Sequence, residues 1–313
     1  MTPRVFITGA TGFVGRHLSR LLRDRQVYIS GTCFPDKPGP EDKEICRVDL
    51  RSGAELSAAL ERARPDWIFH LAAQSNVRRS WENRQETLET NVLGTSNLYE
   101  AVRRSSPAAR LLFISSSDVY GVLSPGEKSF REDDPVQAVN PYAYSKIAGE
   151  LLSRFYVQVE KLDIVMARSF PHTGPGQAPD FVFSDWARQV ARIEKGPAEP
   201  VIRTGNLAVR RDYSDVRDVV RAYVLLMEKG RTGEVYNICS GRTVSLGEAL
   251  ETLLSLSKPR VEIRQDPSKL RKTDIPFLGG DCAKLRGETG WTAEIPLEQT
   301  LRDLLEDWRA RTP

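Results

Sequence analysis

This chain has little of what marks several functional classes. Its three histidines, His17, His70 and His172, lie far apart in sequence. That spread argues against a histidine-based site, and no metal is expected. The four cysteines, Cys33, Cys46, Cys239 and Cys282, are scattered without metal-ligand spacing. They read as reduced thiols of a cytoplasmic protein. No apolar run approaches the roughly 20 residues that cross a bilayer. The N-terminus enters a strand pattern at once, so no signal peptide is expected. An excess of charge of one sign is also missing. The 45 basic and 42 acidic residues leave a net +3, too balanced to point to nucleic acid or a membrane surface. There is no internal repeat, low-complexity stretch or interdomain linker.

What is there is the balance of an ordinary soluble protein, 40% hydrophobic and 28% charged. The length of 313 residues suits one large α/β domain or two smaller ones. Arg4-Val5-Phe6-Ile7-Thr8 reads as a buried strand, and Gly9-Ala10-Thr11-Gly12-Phe13-Val14-Gly15 follows it. Residues 16–22 then take up helical spacing. Strand, glycine turn and helix is the context that a dinucleotide site requires. Gly9 permits the tight turn, Gly12 lets backbone approach a pyrophosphate, and Gly15 lets helix and strand pack closely. The helix start offers free N–H groups to phosphates. Gly9, Thr11, Gly12, Phe13, Val14 and Gly15 are therefore candidate cofactor residues. The second strand, 27–32, would end in an acidic residue if it held the ribose 2′-hydroxyl of NAD. Cys33 and Phe34 follow instead, with Asp36 and Lys37 further on, which leans to NADP(H) and leaves NAD(H) open.

A third short strand, 46–48, runs into Asp49-Leu50, which alone reads equally as a helix start capped by Asp49 or Ser52. After an amphipathic helix over 53–64, residues 65–74 read as a buried strand ending in Leu71, Ala72 and Ala73. Small side chains there would let a cofactor pass closely, and His70 reads as a core histidine. One long helix is expected over 86–103. Asn91 lies inside it, which is unfavourable unless the amide has a task. The strand 110–114 ends in Ser115-Ser116-Ser117-Asp118-Val119-Tyr120. A serine cluster after a strand is by itself an ordinary turn.

The chemistry converges on Asn140-Pro141-Tyr142-Ala143-Tyr144-Ser145-Lys146, at the head of a helix over 142–160. Tyr142 and Lys146, four apart, share one helix face. A free phenol has a pKa near 10, and a nearby ammonium lowers it. A phenol tuned in this way can trade a proton with a sugar oxygen. Tyr-x-x-x-Lys alone is a common helix surface pattern, so its weight comes from the glycine turn and the serine cluster. Further on come a strand over 163–168, a helix over 181–194 and a helix over 219–228. Asp215 and Asp218 are placed to cap and pin the last of these.

The Gly-x-x-Gly-x-x-Gly spacing, the Ser116, Tyr142 and Lys146 set and the string Arg211-Asp212-Tyr213-Ser214-Asp215-Val216-Arg217-Asp218 carry a resemblance. The chain resembles the extended short-chain dehydrogenase/reductases of the NAD-dependent epimerase/dehydratase family, along essentially its whole length. The resemblance implies a Rossmann-type, doubly wound parallel sheet over 1–168, to which some later segments return. It also implies a smaller α/β lobe over 169–313, mainly for a nucleotide-sugar. The cleft is expected at their seam. Asp49 and Leu50 would contact adenine, and Asn91 would support the active-site strand. Ser116, Tyr142 and Lys146 would be catalytic, with Asp118 where the 4,6-dehydratases of the family carry a glutamate. Lys146 would hold the nicotinamide ribose and lower the Tyr142 pKa. Ser75, Ser116, His172, Gln177, Arg211 and Arg271 would meet the substrate, the two arginines at its diphosphate. Two positions depart from the pattern: Pro171 replaces an asparagine and Lys272 a proline. The implied activity is NAD(P)H-dependent reduction of the C4 keto group of GDP-4-keto-6-deoxy-D-mannose to GDP-D-rhamnose. A 4,6-dehydratase, a nucleotide-sugar 4-epimerase and a non-enzymatic NADP sensor are the alternatives. Family members commonly dimerise through two helices per subunit, here 86–103 and 142–160, which implies a homodimer.

Overall fold

A computed structural model describes the chain except for residues 1, 36, 37, 40, 41, 123–127, 197, 271–274 and 313. Asp36, Lys37 and Arg271 thus lie outside the described residues. β1 (Arg4–Thr8) is buried from Val5 onward, and Gly9, at φ +72°, turns the chain into α1 (Phe13–Asp24). β2 (Tyr28–Cys33) and β3 (Ile45–Arg47) follow. α2 (Gly53–Ala63) is capped by Ser52, which accepts the Glu55 N–H, and it stops where Arg64 turns left-handed at φ 45°. β4 (Trp67–His70) leads to α3 (Val77–Glu82), α4 (Arg84–Leu88) and α5 (Gly94–Ser105). A π-helical turn, Glu89–Leu93, joins α4 to α5. β5 (Arg110–Ser116), α6 (Pro141–Gln158) and β6 (Asp163–Ser169) complete the first half.

The second half runs β7 (His172–Thr173), α7 (Val182–Lys195), β8 (Val201–Thr204), β9 (Arg210–Asp212), β10 (Ser214–Asp215) and α8 (Val216–Lys229). It continues through β11 (Val235–Ile238), β12 (Thr243–Ser245), α9 (Leu246–Ser255), β13 (Glu262–Gln265) and β14 (Phe277–Leu278) to α10 (Ala283–Thr289) and α11 (Leu297–Arg311).

Seven strands form one sheet in the order β3-β2-β1-β4-β5-β6-β11. Every neighbouring pair in it is parallel. This is the doubly wound order of dinucleotide-binding sheets with β11 added, and the strand order reverses between β1 and β4. Parallel strands covered on both faces carry continuous apolar runs, as Ile164-Val165-Met166-Ala167 in β6 shows. The second half also builds three small sheets, β10-β7, β12-β9-β14 and β13-β8. A separate core of Phe183, Trp186, Val190, Ile202, Leu250, Leu253, Leu301 and Leu304 lies in this half.

Several boundaries differ from the sequence expectation for local reasons. The helix expected over 86–103 is broken by the π turn around Asn91. Just after Ser75 the chain forms α3, whose cap is Asn76 accepting the Arg79 N–H at 3.0 Å. β4 ends at His70, so Leu71–Ala73 lies beyond the strand. Asp215 caps α8 as expected, accepting the Arg217 N–H at 2.7 Å. Asp218 instead pins the segment before α11, accepting the Glu294 and Ile295 N–H groups at 2.9 Å each.

Candidate active site

The glycine turn lies at the carboxyl end of β1, beside the point where the strand order reverses. A Cβ on Gly15 would come within 2.3 Å of the Gly9 carbonyl oxygen, so only glycine lets α1 seat on the turn. A Cβ on Gly9 would come within 3.1 Å of the Ala72 backbone, which brings the β1 and β4 strand ends together. The first turn of α1 carries no acidic side chain, and no side chain caps it. Its N–H groups are thus open to an anion, as a pyrophosphate would require. Asp49 is not the cap of α2, because Ser52 is. Its carboxylate accepts from Arg51 with both oxygens, Oδ1 from Nε at 3.0 Å and Oδ2 from Nη2 at 2.6 Å, and the Arg51 guanidinium holds it below the usual carboxylate range.

His70 is buried, with Nδ1 2.9 Å from Thr8 Oγ1 and Nε2 2.9 Å from Thr95 Oγ1. The Thr95 hydroxyl donates to the Asn91 carbonyl, so it accepts from His70 Nε2–H. The Thr8 oxygen accepts the Ala72 N–H, so its own proton goes to Nδ1. One neutral tautomer satisfies the whole chain of bonds. Burial drives the His70 pKa down to about 3.

Asn91 has the task its position called for. Its Oδ1 accepts the Gln74 N–H at 2.8 Å, and its Nδ2 donates to the Gln74 carbonyl at 3.0 Å and to Ser145 Oγ at 2.9 Å. Ser145 in turn donates to the Tyr142 carbonyl at 2.7 Å. The π turn therefore ties the loop after β4 to the first turn of α6. Asn140 caps α6 by accepting the Ala143 N–H at 2.7 Å, and Pro141 stands at its first position.

Ser116, Tyr142, Lys146 and Asp118 gather where β5 ends against α6. The Ser116 hydroxyl accepts the Asp118 N–H at 3.2 Å and acts on the Tyr142 phenol, favouring its ionised form. Lys146 Nζ donates to the Ile114 carbonyl at 2.7 Å and lies 5.8 Å from the centre of the Tyr142 ring. The expected lowering of the Tyr142 pKa is absent. Burial pushes the phenol up, the Asp118 charge adds to this, and the Ser116 bond only opposes it. Burial meanwhile lowers Lys146 to about 8, against the pull of Glu150. In this buried setting desolvation outweighs the attraction between phenolate and ammonium.

Glu150, one turn beyond Lys146, was not singled out by the sequence. It accepts from Arg168 at 2.9 and 2.8 Å and from Ser115 Oγ at 2.6 Å. Both members of the ion pair are buried. Arg168 also reaches Tyr120 Oη at 3.0 Å. The pair thus clamps β5, β6 and α6 directly behind Ser116.

The candidate substrate residues divide. Ser75 is exposed, beside a recess of about 450 Å³ lined by Asn76, Arg79, Glu86 and Asp180. His172 is stacked on Phe13, at 6.4 Å and 10° between planes, so it faces the cofactor turn. Gln177 is buried, and its amide braces its own loop: Oε1 accepts from Thr173 Oγ1 at 2.6 Å and Nε2 donates to the His172 carbonyl at 3.1 Å. These bonds hold a loop that turns through Gly174 and Gly176 at positive φ. Two residues that the sequence reading missed hold the same loop. His17 Nε2 bonds the Pro175 carbonyl at 2.8 Å, and Asp307 accepts the Gly176 N–H at 2.9 Å. Their 158- and 131-residue separations left no local signal. Arg211 is buried on β9, with Nη1 donating to the Arg210 carbonyl at 2.8 Å. Among the described residues there is no cluster suited to a metal ion, and no helix is long and apolar enough to cross a membrane.

The arrangement can hold a dinucleotide and protonate an oxygen beside it. Comparison with known proteins bears on the first of these, the cofactor. The profile of a family described as GDP-mannose 4,6 dehydratase matches residues 6–304. A GDP-6-deoxy-D-mannose reductase of Pseudomonas aeruginosa is 37% identical over 311 residues, 99% of either chain. A GDP-mannose 4,6-dehydratase of Sinorhizobium fredii is 26% identical over 97% of this chain and 95% of its own. The structure of RMD from Pseudomonas aeruginosa complexed with NADPH superimposes with a TM-score of 0.89 at 35% identity, covering 99% of this chain and 100% of that one. A Thermus thermophilus UDP-glucose 4-epimerase in complex with NAD gives 0.88 at 27% identity, covering 98% and 99%.

Proposed function

We propose, for a chain that belongs to the GDP-mannose 4,6-dehydratase family, that this site reduces the C4 keto group of GDP-4-keto-6-deoxy-D-mannose to GDP-D-rhamnose. The observation that carries the reading is the buried Tyr142 phenol in the first turn of α6, with Ser116 at the end of β5 and Lys146 5.8 Å from its ring centre; burial favours its protonated form. A bound reduced nicotinamide would supply the hydride. Ser116 orients the C4 oxygen and Tyr142 gives it a proton. Lys146, at about 8, keeps most of its charge at pH 7 and is assigned the nicotinamide ribose. Arg211 and, by the family pattern, Arg271 are assigned the diphosphate, so that remote binding energy positions the sugar. Residues 1–168 are read as the cofactor half and 169–313 as mainly the nucleotide-sugar lobe. The guanosine and the sugar are taken from what the similar reductase and dehydratase are called.

One observation favours dehydration as a second reading. Asp118 follows Ser116 by two residues, its N–H donates to the Ser116 hydroxyl, and its charge pushes the Tyr142 pKa up. A dehydratase would use this carboxylate to move the C5 proton. Asp118 is one methylene shorter than the glutamate of that role, and even about 1 Å of misplacement can cost about a hundredfold. The test supplies each sugar in turn. GDP-4-keto-6-deoxy-D-mannose is expected to consume NAD(P)H stoichiometrically, while GDP-mannose without added cofactor yields little keto sugar. Faster keto-sugar formation from GDP-mannose, with no net cofactor consumed, would make the chain a lyase.

The chain is also read as a homodimer. Tyr144, Leu151, Phe155 and Val159 stand exposed along one face of α6 and its end, and Leu93 is exposed on the π turn. A stripe of large apolar side chains on two adjoining helices is what a second copy would cover.

A further inference from the structure

Where β2 ends, an acidic residue would read a ribose 2′-hydroxyl. This chain puts Phe34 there, half exposed, and the ring is not bare. The guanidinium of Arg47 lies over it, 5.2 Å from the centroid. Arg47 is the last residue of β3 and pairs in register with Cys33, the last of β2. Neighbouring strands run only about 4.8 Å apart. The cation therefore occupies the space just past β2. Arg47 Nε donates to the Pro35 carbonyl at 3.0 Å, which with the ring fixes the plane of the fork. Among the described residues no carboxylate lies within ion-pair distance of it. Its neighbour Arg51 differs, being bound to Asp49 and 3.8 Å from Glu89.

We propose that Arg47 is the specificity-determining cation that selects NADPH over NADH, pairing with the 2′-phosphate of the adenosine ribose. The inference rests on the reading of the Gly9–Gly15 turn as a dinucleotide site. A planar fork with its Nη edge open suits phosphate oxygens better than a ribose hydroxyl. Stacking on Phe34 holds the charge in place before the ligand arrives, which reduces the cost of ordering it.

Calorimetric titration of the full chain with NADPH, NADH, 2′,5′-ADP and ADP tests this directly, without turnover. Arg47→Ala is expected to weaken NADPH and 2′,5′-ADP by roughly tenfold to a hundredfold, the range of a charged hydrogen bond, and NADH and ADP by less than about twofold. Arg47→Lys, which keeps the charge without the fork, is expected to recover part of the loss. An equal loss for NADPH and NADH would make Arg47 a brace of the β2–β3 end and overturn the proposal. So would NADPH binding that Arg47→Ala leaves unchanged. An unsubstituted chain that binds neither dinucleotide would sink the reading of the glycine turn itself, a result distinct from either.

Discussion

A tyrosine that burial keeps protonated is poised to donate, and its function can be removed without removing its ring. Tyr142→Phe is expected to leave cofactor binding intact and to lower turnover by roughly a hundredfold or more, the usual scale for a lost general acid. Turnover near that of the unsubstituted chain would take Tyr142 out of the mechanism. His70 offers a different readout. Its folded value of about 3 lies below the ordinary 6.5, so the folded chain holds it neutral. Below pH 6.5 the unfolded chain binds a proton that the folded chain refuses. The stability tied to His70 is therefore complete above 6.5 and is lost as pH falls toward 3. Denaturation at pH 7 and pH 5 is expected to show a smaller drop for His70→Asn than for the unsubstituted chain. Equal drops would mean that other groups govern the acid limb. The residue types behind this chemistry were legible in sequence, but the electrostatics were not. Tyr142 and Lys146 at one-turn spacing suggested attraction, whereas their shared burial decided the outcome, and burial is set by residues far along the chain.

Between residue and fold, the π turn at Glu89–Leu93 is the element with the largest reach. An extra residue in a helix turn costs regular hydrogen bonding and is found mostly at functional sites. Here it lets the Asn91 amide meet both the loop after β4 and Ser145 on α6. Asn91→Ala leaves buried partners unsatisfied and is expected to cost about 1–3 kcal/mol of stability. It is also expected to lower kcat more than cofactor affinity, because the bond chain leads to Tyr142. A variant as active as the original would reduce Asn91 to packing. A lone asparagine in a helical pattern gave the position away, but the π geometry has no sequence signature of its own. The glycine turn was the opposite case. Its spacing determined strand, turn and helix locally, so all three appear where the pattern put them. The Glu150–Arg168 clamp stayed hidden for a simpler reason. Glutamate and arginine on a helix and a strand usually face water, and only the sheet order reveals that these two meet in the interior. Removing one partner by Arg168→Met is expected to cost about 3–5 kcal/mol, measured by denaturant unfolding.

For the whole molecule, the exposed stripe on α6 predicts association. Light scattering at micromolar concentration is expected to give a dimer, and Leu151→Glu with Phe155→Glu a folded monomer. A monomer without those changes would leave the stripe unexplained. The path of the chain through its main sheet has another consequence. β11 is the outermost strand beyond β6, yet it is made only after β7 to β10, α7 and α8. Until residues 235–238 emerge from the ribosome, β6 presents a bare row of N–H and C=O groups flanked by Ile164, Val165, Met166 and Ala167. Such an edge is a template for pairing with another chain. At about 5–20 residues per second, the interval between the end of β6 and the end of β11 lasts on the order of ten seconds. A chain stopped at Ser169 would stay in that state permanently and is expected to aggregate where the full chain does not. The growing polypeptide thus has a vulnerable age, closed only when its seventh strand arrives.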